Sequence, residues 1–121
     1  NRTVQNAIKN GKLLKRLREA SEIVIDEISM LPGVALATAE EIARIARESD
    51  EPWGGLRVVA VGDFAQLPPV DRSGVARDWA FNHAVWERTE FISLCLETPV
   101  RFINNEFYDY ILFLIIYLIP R

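Results

Sequence analysis

The sequence predicts an α/β fold built on a parallel sheet, and three observations carry that prediction. Two short apolar runs, residues 23–25 and 56–61, each end in polar groups. The stretch between them has the periodicity of a helix. Neither run alternates with polar residues, which suits strands covered on both faces. Strand, helix, strand in this order is a parallel crossover unit, right-handed in nearly all cases, so both strands end on one edge.

Residues 3–19 read as helical, with Val4, Ala7, Ile8, Leu13, Leu14 and Leu17 on the apolar side and Gly11 breaking the stretch in two. Ile23 to Ile25 is the first strand and leaves Asp26 and Glu27 at its carboxyl end. Pro32 and Gly33 make a turn. Residues 34–48 follow as a helix, with Leu36, Ala39, Ile42, Ala43, Ile45 and Ala46 on one side. Glu40, Arg44 and Glu48 recur at four-residue spacing and read as surface pairs. A loop over 49–55, rich in glycine, leads to the second strand. Residues 71–80 read as a loop, 82–87 as a short helix and 91–96 as a third strand.

At 121 residues, half of them apolar, the chain fits one globular domain. Its single cysteine, Cys95, excludes an internal disulfide and a four-cysteine zinc site; between Leu94 and Leu96 it reads as a small buried hydrophobe. His83 has no second histidine or cysteine beside it and reads as a surface or capping residue. Trp53, Trp79 and Trp86 read as core or rim residues, with base stacking as the alternative. A net charge of −3 argues against a strongly basic nucleic-acid module. Residues 1–20 nevertheless carry a local +5, read as a solvated helix surface with phosphate contact as the alternative. No signal peptide is recognisable, so the expected compartment is intracellular.

The chemistry sits at the two strand ends. Ligands of open α/β sheets bind outside the carboxyl ends of the strands, so Asp26, Glu27, Asp63 and Gln66 are expected to converge there. A phosphate-bound magnesium ion needs only one or two protein carboxylates, and Asp26 fits that need. Glu27, adjacent on the same strand end, fits a base that polarises attacking water. Acids that merely cap a strand and pair with lysines are the structural alternative. The second end, Gly62-Asp63-Phe64-Ala65-Gln66-Leu67-Pro68-Pro69-Val70, offers close backbone approach, an acceptor, an amide and a stiff exit.

Asp-Glu-Ile-Ser-Met together with Gly-Asp-Phe-Ala-Gln-Leu-Pro-Pro-Val, joined through Pro-Trp-Gly-Gly, resembles the Pif-type, RecD-related branch of superfamily 1 DNA helicases, from Ser21 to Arg101. The resemblance implies a partial P-loop NTPase (RecA-like) domain, a parallel sheet flanked by helices, and an intact protein that unwinds DNA 5′ to 3′ with magnesium-dependent ATP hydrolysis in repair, recombination and telomere or genome maintenance. It implies single-stranded or forked DNA and ATP as partners, and the nucleus or mitochondrion, or the bacterial cytoplasm, as location. By resemblance, Asp26 is the Walker B magnesium ligand, Glu27 the catalytic base and Gln66 the sensor of the γ-phosphate. Arg101 matches the arginine that reaches the transferring phosphate from the far side, although Phe102 stands where the family has glutamine and Pro99 is also atypical; a surface arginine is the alternative. Phe81 and Trp86 resemble apolar positions after the motif and read as structural.

No Gly-x-x-x-x-Gly-Lys-Ser/Thr occurs in the chain, so its own residues supply no phosphate cradle. Residues 1–106 therefore read as the second half of a RecA-like motor domain, inactive alone, and 107–121 as an atypical apolar tail. A non-catalytic remnant serving as a structural or interaction module is the competing reading. As a helix, residues 107–119 would reach about 20 Å, short of the roughly 30 Å bilayer core, so no membrane span is expected. Unpaired, the run is an exposed-strand hazard, and poor solubility is expected.

Overall fold

The computed structural model describes residues 1–70, 77–96 and, for the backbone, 114–118. Among these, helices α1 (Arg2–Ala7) and α2 (Gly11–Glu19) precede strand β1 (Glu22–Ile25), helix α3 (Gly33–Arg47) and strand β2 (Arg57–Gly62). Helix α4 (Ala84–Thr89) and strands β3 (Ile92–Leu96) and β4 (Leu114–Leu118) follow. The strands form one sheet in the order β1-β2-β4-β3. β1 and β2 pair in parallel, with Ile25 opposite Ala60, as the crossover reading expects. β4 lies antiparallel to both β2 and β3.

The break between the first two helices falls just before Gly11. Asn10 caps α2, its side chain accepting from the Leu13 amide at 3.1 Å, and Gly11 is the first residue of the helix. At the other end of α2, Arg47 reaches across from α3 and donates to the carbonyls of Leu17 (3.1 Å) and Arg18 (3.0 Å), two of the orphan acceptors of a helix terminus. Arg18 returns the link, donating to the Ala46 carbonyl at 2.8 Å. The basic N-terminal segment is thus partly committed to locking α2 onto α3. Lys15 and Glu19 pair on its exposed side at 3.8 Å.

The core lies between α3 and one face of the sheet. Leu36 and Ala43 of α3 meet Val58 and Ala60 of β2, with Ile28, Trp53, Leu56 and Val85 closing the cluster. α1, α2 and α4 all pack on α3, on this same side. The opposite face has no helix over it among the described residues. Val24, Val59 and Ile92 share one cross-strand row, through Leu118, and Val24 is 63% and Ile92 48% exposed. The expectation that the first strand is covered on both faces is therefore corrected. Cys95 is corrected likewise: among the described residues β3 pairs with β4 alone, carries no helix, and is exposed along its length, cysteine included.

Glu40 is the largest departure from the sequence reading. The buried stripe of α3 runs Gly33, Leu36, Glu40, Ala43, Ala46, so the glutamate lies inside it while Ala39 and Ile45 face out. Its side chain is completely buried. It accepts from Arg44 Nε at 2.9 Å, Arg88 Nη2 at 3.1 Å and the Trp53 amide at 3.2 Å. A carboxylate taken from water needs such partners, and these join α3, α4 and the loop before β2. In that loop Trp53 and Gly54 are left-handed, at φ 58° and 60°. A Cβ on Gly54 would sit 2.7 Å from the Ala43 carbonyl oxygen, so only glycine lets the loop lie this close to α3. The Trp53 indole is 1% exposed and donates to Thr89 Oγ1 at 3.0 Å.

The short helix predicted over 82–87 is α4 preceded by a 3-10 turn, Ala80–Asn82. His83 caps it, its Nδ1 accepting from the Val85 amide at 3.3 Å, so the capping role holds. The apolar tail reaches the described residues as β4, a paired inner strand rather than an exposed edge. No described helix is long and apolar enough to cross a membrane.

Candidate functional site

β1 ends at Ile25 and the chain turns at once. Asp26 and Glu27 are exposed, and Glu27 is left-handed at φ 52°, ψ 45°, a conformation costing a non-glycine residue about 1 kcal/mol. Asp26 Oδ1 accepts from the Glu27 amide at 2.9 Å, which holds the turn and leaves Oδ2 for a ligand. The Glu27 carboxylate has no hydrogen-bond or ion-pair partner among the described residues. A single 3-10 turn, Ile28–Met30, then carries the chain toward α3.

The second strand end abuts this turn. A Cβ on Gly62 would lie 2.9 Å from Ile28 Cγ2 and 3.0 Å from the Ile28 nitrogen. The close backbone approach read at Gly62 is made to the chain's own backbone, immediately after Glu27. The two motifs are thus in van der Waals contact through Gly62 and Ile28, which is what fixes their relative placement.

Beyond Gly62 the chain bends through an Asx turn. Asp63 is 4% exposed; its Oδ1 accepts from the Ala65 amide at 2.8 Å and its Oδ2 from Gln66 Nε2 at 2.9 Å. Asp63, expected as an acceptor facing a ligand, instead orients the Gln66 side chain. Gln66 is exposed, with one amide hydrogen committed to Asp63 and its second hydrogen and oxygen directed by that bond. Phe64 anchors the turn from below, its ring 4.9 Å from Phe81, 5.7 Å from Trp86 and 6.0 Å from Trp79, all edge-on. Phe81 and Trp86 are structural, as read. Phe64 links the motif to α4, a role its position between Asp63 and Ala65 did not reveal.

Asp26, Glu27 and Gln66 therefore share one edge, held by Gly62 and Asp63, although no hydrogen bond joins the acidic pair to Gln66 among the described residues. Arg101 lies outside the described residues. Two further contributors were not singled out in sequence. Asp78 caps α3, its Oδ2 accepting from the Val34 amide at 2.8 Å and its carbonyl from the Gly33 amide at 3.1 Å, across 44 residues of chain. Ser29 is 1% exposed, and its hydroxyl has no partner among the described residues.

No group of three metal-ligating side chains gathers among the described residues, which excludes an all-protein cage there. Asp26, exposed and with Oδ2 uncommitted among the described residues, suits magnesium held mainly by phosphate and water, and the exposed Glu27 stands next to it.

With that geometry in hand, comparison with known proteins decides the family. The model of the PIF1-like helicases matches residues 1–109. The chain belongs to the PIF1-like helicase family. An ATP-dependent DNA helicase Pif1 of Bdellovibrio bacteriovorus is 50% identical over 107 residues, covering 88% of this chain and 24% of that relative. The crystal structure of Pif1 helicase from Candida albicans superposes with a TM-score of 0.65 at 39% identity, over 72% of this chain and 19% of that one. Pif1 helicase from Bacteroides, in complex with ADP-AlF3 and single-stranded DNA, gives 0.60 at 33% identity, over 65% and 20%. This PIF1-like chain thus spans about a quarter or less of the relatives it matches, and its α/β fold, with the parallel β1–β2 pair, is that of their RecA-like domains.

Proposed function

We propose that residues 1–106 are the Walker B and coupling half of the first motor domain of an ATP-dependent DNA helicase, with 107–121 an atypical tail. One observation supports this most: the Asp-Glu turn and the Gly-Asp-Phe-Ala-Gln turn, both within the PIF1-like match, abut on the carboxyl edge of two parallel strands. Asp26 Oδ2 would hold magnesium, which when bound to ATP neutralises charge on the phosphates. Glu27, exposed and without a competing partner among the described residues, accepts the proton of the attacking water. Gln66, held by Asp63, donates its remaining amide hydrogen toward the terminal phosphate, so a change there is passed through Asp63 into β2. By family resemblance, Arg101 is the candidate for the arginine that contacts the transferring phosphate.

The substrates of the intact protein are ATP and single-stranded or forked DNA, and its compartment is intracellular, wherever DNA is maintained. The motor reading is tested by joining the chain to an upstream phosphate-binding segment of a PIF1-like relative. ATP hydrolysis stimulated by single-stranded DNA is expected; a folded fusion without it refutes the reading.

A second reading applies to the chain by itself: a non-catalytic module. The absence of a phosphate cradle among its 121 residues favours it. Titrating magnesium-ATP against the chain separates the two, since micromolar binding contradicts the module and its absence supports it.

A further inference from the structure

The Glu27 turn is held from two sides, by residues that bracket Gln66 in sequence. A left-handed residue other than glycine persists only where its surroundings over-determine it. Glu27, at φ 52° and ψ 45°, therefore needs more than the Asp26 carboxylate on its own amide. The first hold is Gly62 against Ile28, the next residue. The second lies at Pro32, where α3 begins. Between them the Met30 amide donates to the Glu27 carbonyl at 2.9 Å and the Leu31 amide to the Ile28 carbonyl at 3.1 Å, so little slack separates Glu27 from Pro32.

α3 brings no cap of its own. Pro32 precedes it and offers no side-chain acceptor, which leaves the first amides of the helix without an intrahelical partner. Asp78 takes two of them: its carbonyl accepts from the Gly33 amide at 3.1 Å and its Oδ2 from the Val34 amide at 2.8 Å. Trp79 adds an isolated antiparallel bridge to Pro32. The fit is close, since a Cβ on Gly33 would stand 2.7 Å from Asp78 Oδ1 and 2.7 Å from His83 Cβ. A carboxylate there also complements the helix dipole. A cap supplied by the residue before the helix would steady α3 alone. This one arrives from 44 residues away, and so fixes where α3 begins relative to the chain that has left the second motif.

We propose that Asp78 is a positioning residue for Glu27: by capping α3 from across the fold it closes the second of the two holds that keep the Glu27 turn in its left-handed conformation. The hold itself does not depend on the nucleotide reading. Its consequence for turnover rests on that reading, with Glu27 as the base.

Amide hydrogen exchange of the full chain, followed residue by residue, tests the hold. In Asp78→Ala the Val34 amide loses its acceptor. The Met30 and Leu31 amides, which report the turn, should also exchange about fivefold faster, beyond any change shared by the amides of β2, as the loss of a cap typically brings. Asp78→Asn keeps a side-chain acceptor and should stay within about twofold of the parent. Gly33→Ala, which forces the same contact open from the α3 side, should reproduce the pattern at Met30 and Leu31, and it decides the matter if Asp78→Ala does not fold. Faster exchange at Val34 with Met30 and Leu31 unchanged makes Asp78 a cap and nothing more, and overturns the proposal. In the chain joined to an upstream phosphate-binding segment, Asp78→Ala should lower kcat for ATP about tenfold per folded molecule, with KM within about twofold and with Asp78→Asn restoring the rate. Unchanged kcat in an active fusion also overturns it. A folded fusion that hydrolyses no ATP even with Asp78 in place refutes the motor reading instead, and the exchange pattern still decides the hold.

Discussion

Replacing Glu40 with alanine should unfold more of this molecule than any change at its exposed carboxylates. The substitution removes the only acceptor for the Trp53 amide among the described residues, in a residue 1% exposed, and an orphaned buried amide costs about 1–3 kcal/mol. It also strips the partner from Arg44 and Arg88, whose side chains are 31% and 52% exposed. Breaking a buried ion pair costs about 3–5 kcal/mol, but guanidinium groups that reach water recover part of it, which places the total near the low end, about 3 kcal/mol. Glu40→Gln keeps an acceptor for Trp53 and loses only the charge, so about 1.5 kcal/mol is expected. Urea unfolding followed by tryptophan fluorescence reads both. At an m-value of about 2 kcal/mol/M, the alanine variant shifts the midpoint down by about 1.5 M. Glu19→Ala, which breaks only the exposed pair with Lys15, is the control and should shift it by about 0.2 M or less. If Glu40→Ala moves the midpoint no further than Glu19→Ala, the buried carboxylate does not join α3, α4 and the loop before β2.

Other substitutions probe the contact between the two motifs and its supports. Gly62→Ala drives a methyl into Ile28 and should cost about 1–3 kcal/mol; an unchanged urea midpoint would mean that the two strand ends are not in contact. Arg47→Ala frees the carboxyl end of α2 and should speed amide hydrogen exchange there while leaving β2 protected; uniform exchange in the two proteins contradicts that tie. Ser29→Ala removes a hydroxyl that is buried without a partner among the described residues, so melting should show the chain unchanged or more stable by about 1 kcal/mol. A loss of that size would show that the hydroxyl is bonded in solution.

The fold was legible where local pattern and topology agree. Short apolar strands around an amphipathic helix dictated the parallel β1–β2 pair, and the Pro32-Gly33 turn places the start of α3 without tertiary knowledge. Glu40 was not legible, because four-residue spacing to Arg44 describes a surface pair and a buried pair equally well. What distinguishes them is the arrival of Arg88 and the Trp53 amide, 48 and 13 residues away in sequence. Asp63 was misread for a related reason: at a strand end it is equally suited to face a ligand or to close its own Asx turn. The open sheet face and the placement of β4 depend on which segments cover and fill the sheet, and strand order is not a local property. That Asp26, Glu27 and Gln66 lie on one sheet edge was readable, whereas the contact between the two strand ends, Gly62 against Ile28, needed coordinates.

The central claim is that Asp26, Glu27 and Gln66 are one half of a nucleotide site with divided roles. The most direct test is Glu27→Gln in a motor protein completed with a phosphate-binding segment, measuring magnesium-ATP affinity and DNA-stimulated turnover side by side. Turnover should fall by about 10² to 10⁴ with affinity retained within a fewfold, since the amide keeps the shape of the turn but cannot take a proton. Turnover that stays within a fewfold of the unsubstituted protein would contradict the assignment of Glu27 as the base, and with it the division of labour at this edge.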